Sequence, residues 1–573
     1  MVNLLVGRIA LQDQDHDSRF LVKGRGFRGS ICDLSPLDRR DQPTGRKLTN
    51  RGKPGNVPAF GVNRRGQWAR QAGEKRPRNS RLPPLAAIAI PLGHGLAASS
   101  NSGRDGFPII LPRRGSRARV PSKRLISAWS PSLNNLPNSV TPRIFLMSGL
   151  LGGGAANAAK RLLVGLRDEG IEAQLLYPPK LKLKSPVTDP DTHRLQWQVG
   201  GLEGLKRGLR FRLHRESFKR KVRGRKPGQE IFTSPRGAPF TPWPPVGIAP
   251  QSGDVLHLHW ISKFVDYESF FASLPRQMPV VWTLHDMNPF TGGCHFTEGC
   301  RQFTTGCGNC PQLPQRGEND ISSQFFETKR HALRDINLHV VTVSRWMMEQ
   351  AKQSRIFENV RSFHRIPYGL ALDEFQPQDR AIARKELGLS PDAFVFSFGA
   401  ADIANRRKGF GLLLDSLQSI ADVPQATGLV FGGGELPSVN HPIPELRSMG
   451  FVSDIKKMMT IYAASDVFLL PSTEDNLPLT CLESLASGTP VLAFDAGGVP
   501  DMVRPGETGW LAETGNASAF GQQLKYVTQH PEEIARFGEN ARQVALTEYS
   551  REREAKAYRD LYATLLAASI DAA

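Results

Sequence analysis

Short apolar runs of strand length alternate with helix-length segments twice along this chain, once over 143–343 and again over 393–527. No other feature limits the fold as much. A buried strand bounded by glycine or proline, then a segment with apolar residues at helical spacing, is the repeating unit of a parallel sheet covered by helices. The first series places strands at 143–148, 172–177, 255–260, 280–284 and 340–343. The second places them at 393–398, 428–431, 467–470 and 491–494, with helices at 410–420, 455–464 and 517–527 among those that follow. The prediction is an α/β protein of two doubly wound, Rossmann-like domains facing each other across a cleft between their strand C-terminal edges. Helical signals run on to Ala568, which predicts a last helix that leaves the second domain and packs back on the first.

Charge divides the chain differently. The formal net charge is +20, but residues 1–140 hold 25 Lys and Arg against 8 Asp and Glu, leaving only +3 on the remaining 433. Segments such as NRGKPGNVP and LPRRGSRARVPSKR have no apolar face to pack, so 1–140 is expected to be a disordered basic extension. Its apolar stretch at 82–96 is too short and too interrupted to span a bilayer, and 1–10 does not read as a signal peptide. The organisation expected after it is a domain over 141–370, with an irregular insertion at 178–250 and a Cys-rich loop at 294–310, then a domain over 371–573. Nucleic-acid binding through the leader is the reading that the overall charge would suggest, and its confinement to 1–140 argues against it.

Several constellations carry chemistry. In PSTEDNLPLTCLESLASGTPV, Asp475 and Glu483 stand eight residues apart across the start of a helix that Asn476 is expected to cap and that Gly488 and Pro490 end. A strand, a ligand-facing turn and a helix N-terminus suit a ligand rich in hydroxyls and phosphates. Gly497 and Gly498 lack β-carbons, so the backbone after the next strand can come close to an anion, although a plain turn has the same needs. Gly152, Gly153 and Gly154 follow the first strand and are read as a loop for phosphate or acceptor, with helix packing as the competing use. Arg345, just after a strand, has a fork suited to an anion. His257 and His259 alternate along a strand and share a face, where they line the cleft or pack with Trp260; structure is the preferred use. Cys294, Cys300, Cys307 and Cys310 fall in a C-x5-C-x6-C-x2-C pattern, for which a structural zinc site is the preferred reading and two disulfides or four thiols the alternatives.

With TLHDMNPFTGGCHFTEGC and DNLPLTCLESLASGTPV in hand, the chain resembles the glycosyltransferases of family 4, the retaining GT-B class, and more narrowly the colanic-acid and exopolysaccharide type. The resemblance covers roughly 142–568. It implies a nucleotide diphosphate sugar as donor, held by the second domain, and a glycan or lipid-linked acceptor on the first, with no cofactor needed for transfer. By the same resemblance Lys408, in NRRKGF, neutralises the donor pyrophosphate, with Arg406 or Arg407 standing in for an arginine usually found nearer Gly399. Glu483 holds the ribose hydroxyls. Asp475 stands near the transferred sugar where many relatives have Glu, and Asn476 and Leu477 belong to the same donor loop. His285, in HDMNPF, lies near that sugar, and Asp286 is a candidate to orient it. The resemblance also implies a cytoplasmic enzyme of surface or exopolysaccharide synthesis. Peripheral contact with the inner face of the plasma membrane, through the basic segment 206–226, is a further expectation. A catalytically silent glycan-binding protein on the same scaffold is the alternative from another class.

Overall fold

The computed structural model of the protein describes residues 142–179, 187, 189–197 and 200–571, which belong to one unit of the chain. The expected disordered leader lies outside the described residues.

The first domain runs β1 (Arg143–Met147), α1 (Gly154–Asp168), β2 (Glu172–Tyr177), β3 (Thr192–Arg194), α2 (Gly201–Val222), β4 (Asp254–Leu258), α3 (Tyr267–Phe271), β5 (Val280–Leu284), α4 (Ile321–Leu333), β6 (Leu338–Thr342), α5 (Arg345–Lys352) and β7 (Ser362–Arg365). Its seven strands lie in the order β3-β2-β1-β4-β5-β6-β7, and every pairing is parallel. The central strands β4, β5 and β6 are buried along their whole length, as continuous Val- and Leu-rich runs demand of a sheet covered on both faces.

The second domain runs α6 (Arg380–Glu386), β8 (Val395–Asp402), α7 (Phe410–Ser416), β9 (Thr427–Gly433), β10 (Glu445–Gly450), α8 (Ile455–Ala464), β11 (Val467–Leu470), α9 (Leu479–Ala486), β12 (Val491–Phe494), β13 (Gly509–Ala512), α10 (Ala517–Gln529), α11 (Pro531–Glu548) and α12 (Arg551–Asp571). Its sheet order is β10-β9-β8-β11-β12-β13, again all parallel. Both sheets therefore reverse direction at one place, between β1 and β4 in the first and between β8 and β11 in the second. Ligands of open α/β sheets bind at such switch points, outside the strand C-termini.

Helix α12 packs on α1. Gly165 makes this possible, since a β-carbon there would stand 2.9 Å from Ala555 Cβ. Tyr558, Tyr562, Leu565 and Leu566 join the core formed by Ile144, Leu162 and Val281 on one face of the first sheet. Tyr562 OH lies 2.7 Å from His257 Nδ1, and Tyr558 OH 2.6 Å from Thr283 Oγ1, so the last helix satisfies polar groups beneath the switch point of the first domain.

Candidate functional site

At the second switch point, the loop after β8 makes a short turn at Arg406–Lys408, capped by Asn405 Oδ1, which accepts from Arg407 N at 3.0 Å. Gly409 follows at φ 72°, and a β-carbon there would stand 1.8 Å from Pro471 O, so only glycine lets this turn lie against the loop after β11. Lys408 Nζ consequently donates to Asp475 Oδ2 at 2.7 Å. Burial alone would raise the Asp475 pKa, but Lys408 and Arg407 overcome it and hold the carboxyl at about 2. Burial lowers the Lys408 pKa, and Asp475 partly offsets this. Glu483, on α9, is pushed up to about 7 by burial, with Arg161 opposing, and accepts from Tyr462 OH at 3.3 Å.

The three basic residues of the turn are used differently. Arg407 donates to Glu230 at 2.6 Å and to Glu474 O at 2.7 Å, and its guanidinium lies 4.0 Å from the centre of the Phe296 ring. Its side chain is 9 % exposed and fully engaged within the protein. Arg406 has no acidic partner among the described residues, and it lines a cavity of 1310 Å³ together with Gly497, Glu474 and Asp415. Lys408, Asp475 and Glu483 do not line that cavity; they sit where the two domains meet.

Asn476 does not cap the helix. Pro478 is the N-cap of α9, and Asn476 Nδ2 instead donates to Leu284 O at 3.0 Å and His285 O at 3.2 Å, while Ser344 Oγ donates to its Oδ1 at 2.6 Å. It clamps the second domain's ligand loop to the end of β5. Leu477 puts its side chain into the core. Gly497 and Gly498 have a packing reason to be glycines. Added β-carbons would stand 2.0 Å from Asp475 O and 1.9 Å from Asn476 O, and Gly498 N already donates to Asp475 O at 2.9 Å.

The first domain presents a different wall. His285 Nε2 lies 2.9 Å from His259 Nδ1, and His285 Nδ1 lies 2.6 Å from Tyr368 OH, with the ring stacked between those of His259 and Tyr368. Burial pushes His285 down to about 4, so the imidazole is neutral at pH 7. Asp286 does not orient it: that carboxylate accepts from Trp260 Nε1 and Asn288 N and pairs with His295 Nδ1 at 2.7 Å. His257 lies between Tyr562 and Thr283, within the fold. Gly152 and Gly153 have no neighbour that a β-carbon would meet, and Gly154 lies near Leu479, so the glycine loop stands beside the start of α9. Arg345 pairs with Asp501 of the second domain at 2.8 Å, with its side chain 66 % exposed.

Cys294, Cys300, Cys307 and Cys310 line one small cavity and are free thiols. As placed they do not form a metal-binding set: among the described residues no group of three or more His, Cys, Asp or Glu is arranged to hold an ion. Glu230, Glu474, Arg161 and Tyr368 escape sequence reasoning. Glu230 lies in the Pro- and Gly-rich excursion, where no periodicity marks it, and Tyr368 lies at the domain junction.

Residues 379–544 match the family model described as glycosyl transferases group 1. Two curated relatives are D-inositol 3-phosphate glycosyltransferases. That of Actinosynnema mirum is 33 % identical over 186 residues, 29 % of this chain and 43 % of the relative. That of Mycolicibacterium gilvum is 28 % identical over 294 residues, 47 % and 58 % of the two chains. The chain thus spans about half the length of the curated relatives it matches. Among solved structures, sucrose-phosphate synthase from Thermosynechococcus elongatus superposes with a TM-score of 0.51 at 20 % identity, over 74 % of this chain and 100 % of that one. At that identity the likeness speaks for the fold, two Rossmann-like domains in the GT-B arrangement.

Proposed function

We propose that this chain is a retaining glycosyltransferase that moves a sugar from a nucleotide diphosphate sugar to a glycan or lipid-linked acceptor in surface or exopolysaccharide synthesis. The observation that carries the reading is the Lys408–Asp475 pair at the second switch point, set against a wall containing the neutral His285. In this reading the donor diphosphate lies against Lys408, Arg406 and the backbone at Gly497 and Gly498, with Asn476 and Leu477 framing the loop. Glu483 accepts from the ribose hydroxyls. As the bond between the anomeric carbon and the phosphate oxygen breaks, charge gathers on the leaving diphosphate, and the ammonium of Lys408 stabilises it more in the transition state than in the ground state. The acceptor oxygen bonds to the same face of that carbon, and its proton passes to the departing phosphate oxygen. Asp475, with its pKa held at about 2, serves as an acceptor of sugar hydroxyls rather than as an acid. His285, its two ring nitrogens held by His259 and Tyr368, forms the neutral wall near the transferred sugar, while Gly152, Gly153, Gly154 and Arg345 belong to the acceptor side. Transfer needs no further cofactor, and the acceptor is met at the cytoplasmic face of the plasma membrane.

A panel of nucleotide sugars, read by release of nucleoside diphosphate with and without acceptors, tests this. One donor should be turned over, faster with an acceptor. Unchanged turnover in both Lys408→Ala and Glu483→Gln would sink the assignment.

We also propose that Cys294, Cys300, Cys307 and Cys310 draw together on a structural zinc. Lys329, fully buried beside them, has only neutral oxygens of Asn288 and Thr291 as hydrogen-bond acceptors, and burial pushes it down to about 8. A tetrathiolate zinc centre carries the negative charge that this ammonium lacks. Metal analysis of the purified protein should find one zinc, lost in Cys307→Ser; a metal-free protein of unchanged stability refutes it.

A further inference from the structure

Helix α2 has no buried residue along its whole length. Leu202, Leu205, Leu209 and Leu213 are 78 %, 72 %, 57 % and 64 % exposed. Their spacing of three, four and four residues sets them in a single row along one side of the helix. The other side is anchored. His214 Nε2 lies 2.8 Å from Ser234 Oγ, the rings of His214 and Phe218 pack against Phe325, and Arg207 lies over the Phe240 ring at 3.7 Å. Phe218 and Val222 rest on the small core around Cys294 and Phe325. A helix held in this way cannot roll over to bury its leucines, so they stay outward.

Charge says what covers them. The helix carries eight Lys and Arg against two Glu. Lys206, Arg210, Arg212, Arg220 and Lys221 have no ion pair among the described residues, whereas Arg207, Arg215 and Lys219 share the two glutamates. An apolar row flanked by unpaired cations matches a surface that is anionic outside and apolar just beneath. A nucleic acid would satisfy the cations and leave the leucines in water, and a second copy of this helix would bring like charges together. Among the described residues no helix is long and apolar enough to cross a membrane, so the helix would lie along the surface rather than enter as a span.

We propose that α2 docks the protein on an anionic phospholipid bilayer, with the leucine row at the boundary between headgroups and acyl chains and the flanking Lys and Arg on lipid phosphates. The proposal deepens the transferase reading by naming the surface on which a lipid-linked acceptor is presented. It rests on that reading only for its purpose, since its test uses no donor and either can fail alone.

The test is sedimentation of the full-length chain with vesicles of phosphatidylcholine, with and without phosphatidylglycerol, at low and high salt. Because the basic leader can also bind anionic vesicles, the deciding variant keeps all charges: Leu205→Ser with Leu209→Ser, two exposed positions. Parent protein should bind the anionic vesicles with a fraction that survives high salt, and the double variant should lose that fraction by about tenfold or more. Leu209→Trp gives the site-resolved reading, as a blue shift of its emission, relative to the parent, on anionic vesicles and quenching by brominated lipid. Equal salt-resistant binding of parent and double variant, or no shift from Leu209→Trp, overturns the proposal. So does a result in which the leucine variants change only self-association or nucleic-acid binding.

Discussion

The two sheets of this protein share a strand order around their switch points, yet the walls they build there differ in kind. The second domain presents the Lys408–Asp475 pair, with Arg407 3.3 Å from the same carboxylate. The first presents a chain of neutral rings, running from Tyr562 through His257, His259 and His285 to Tyr368. The same topology thus holds charge in place on one side and excludes it on the other. A ligand with an anionic end and a hydroxyl-rich end has a natural orientation between two such walls. The charged wall is also not built by its own domain alone. Glu230 of the insertion receives Arg407 and Asn405, and Thr297 and Glu298 donate to Glu474.

Removing the charge should have the largest effect. Lys408→Ala is expected to lower donor turnover about 10²- to 10³-fold, as for loss of a preorganised charge at a leaving group, measured by nucleotide release alongside thermal unfolding to confirm folding. Next, Glu230→Ala should lower stability by about 3 kcal/mol in denaturant titration, because a buried guanidinium loses its nearest carboxylate and keeps, among the described residues, only Asp475, at 3.3 Å, as an acidic partner. If Glu230→Ala instead proves neutral, the insertion does not support the charged wall. On the neutral wall, His285→Phe breaks the contacts to His259 and Tyr368 that fix this wall, and should cost about tenfold in turnover, the scale of one hydrogen bond, with little change in donor affinity. The smallest effect is in pH. Glu483, raised to about 7, should make donor binding strengthen as pH rises from 6 to 8, and Glu483→Gln should flatten that slope.

Stability should respond to pH with opposite signs from the two walls. His257 and His285, pushed down to about 3 and about 4, contribute stability that is present above the ordinary histidine value near 6.5 and is lost as pH falls toward those values. Glu483, raised to about 7, contributes below about pH 4.5 and loses that contribution as pH rises through 7.

Much of the architecture was legible because central strands of parallel sheets are continuous apolar runs. The strands absent from the sequence reading are the four at the sheet edges, β3, β7, β10 and β13. Ser362–Arg365 has no buried residue and Glu445–Gly450 mixes exposed and half-buried positions, so neither reads as a core strand. The site divides in a similar way. Residues with a local motif, such as Lys408 and Asp475, are visible in sequence, whereas partners fixed only by tertiary approach are not. Asn476 reads as a helix cap because a cap is the commonest local use of asparagine, but its partners are the backbone carbonyls of Leu284 and His285, almost two hundred residues away. Glu230 and Tyr368 carry no local signal at all.

The central claim is that the second switch point is a diphosphate site made by Lys408. Calorimetric titration of uridine and guanosine diphosphates into the full-length chain and into Lys408→Ala tests it most directly. At least one nucleotide is expected to bind the parent, with an affinity that falls about tenfold or more in the variant, the loss of one charge-assisted contact. Equal affinity in the two proteins, or no binding of either nucleotide to the parent, would contradict it.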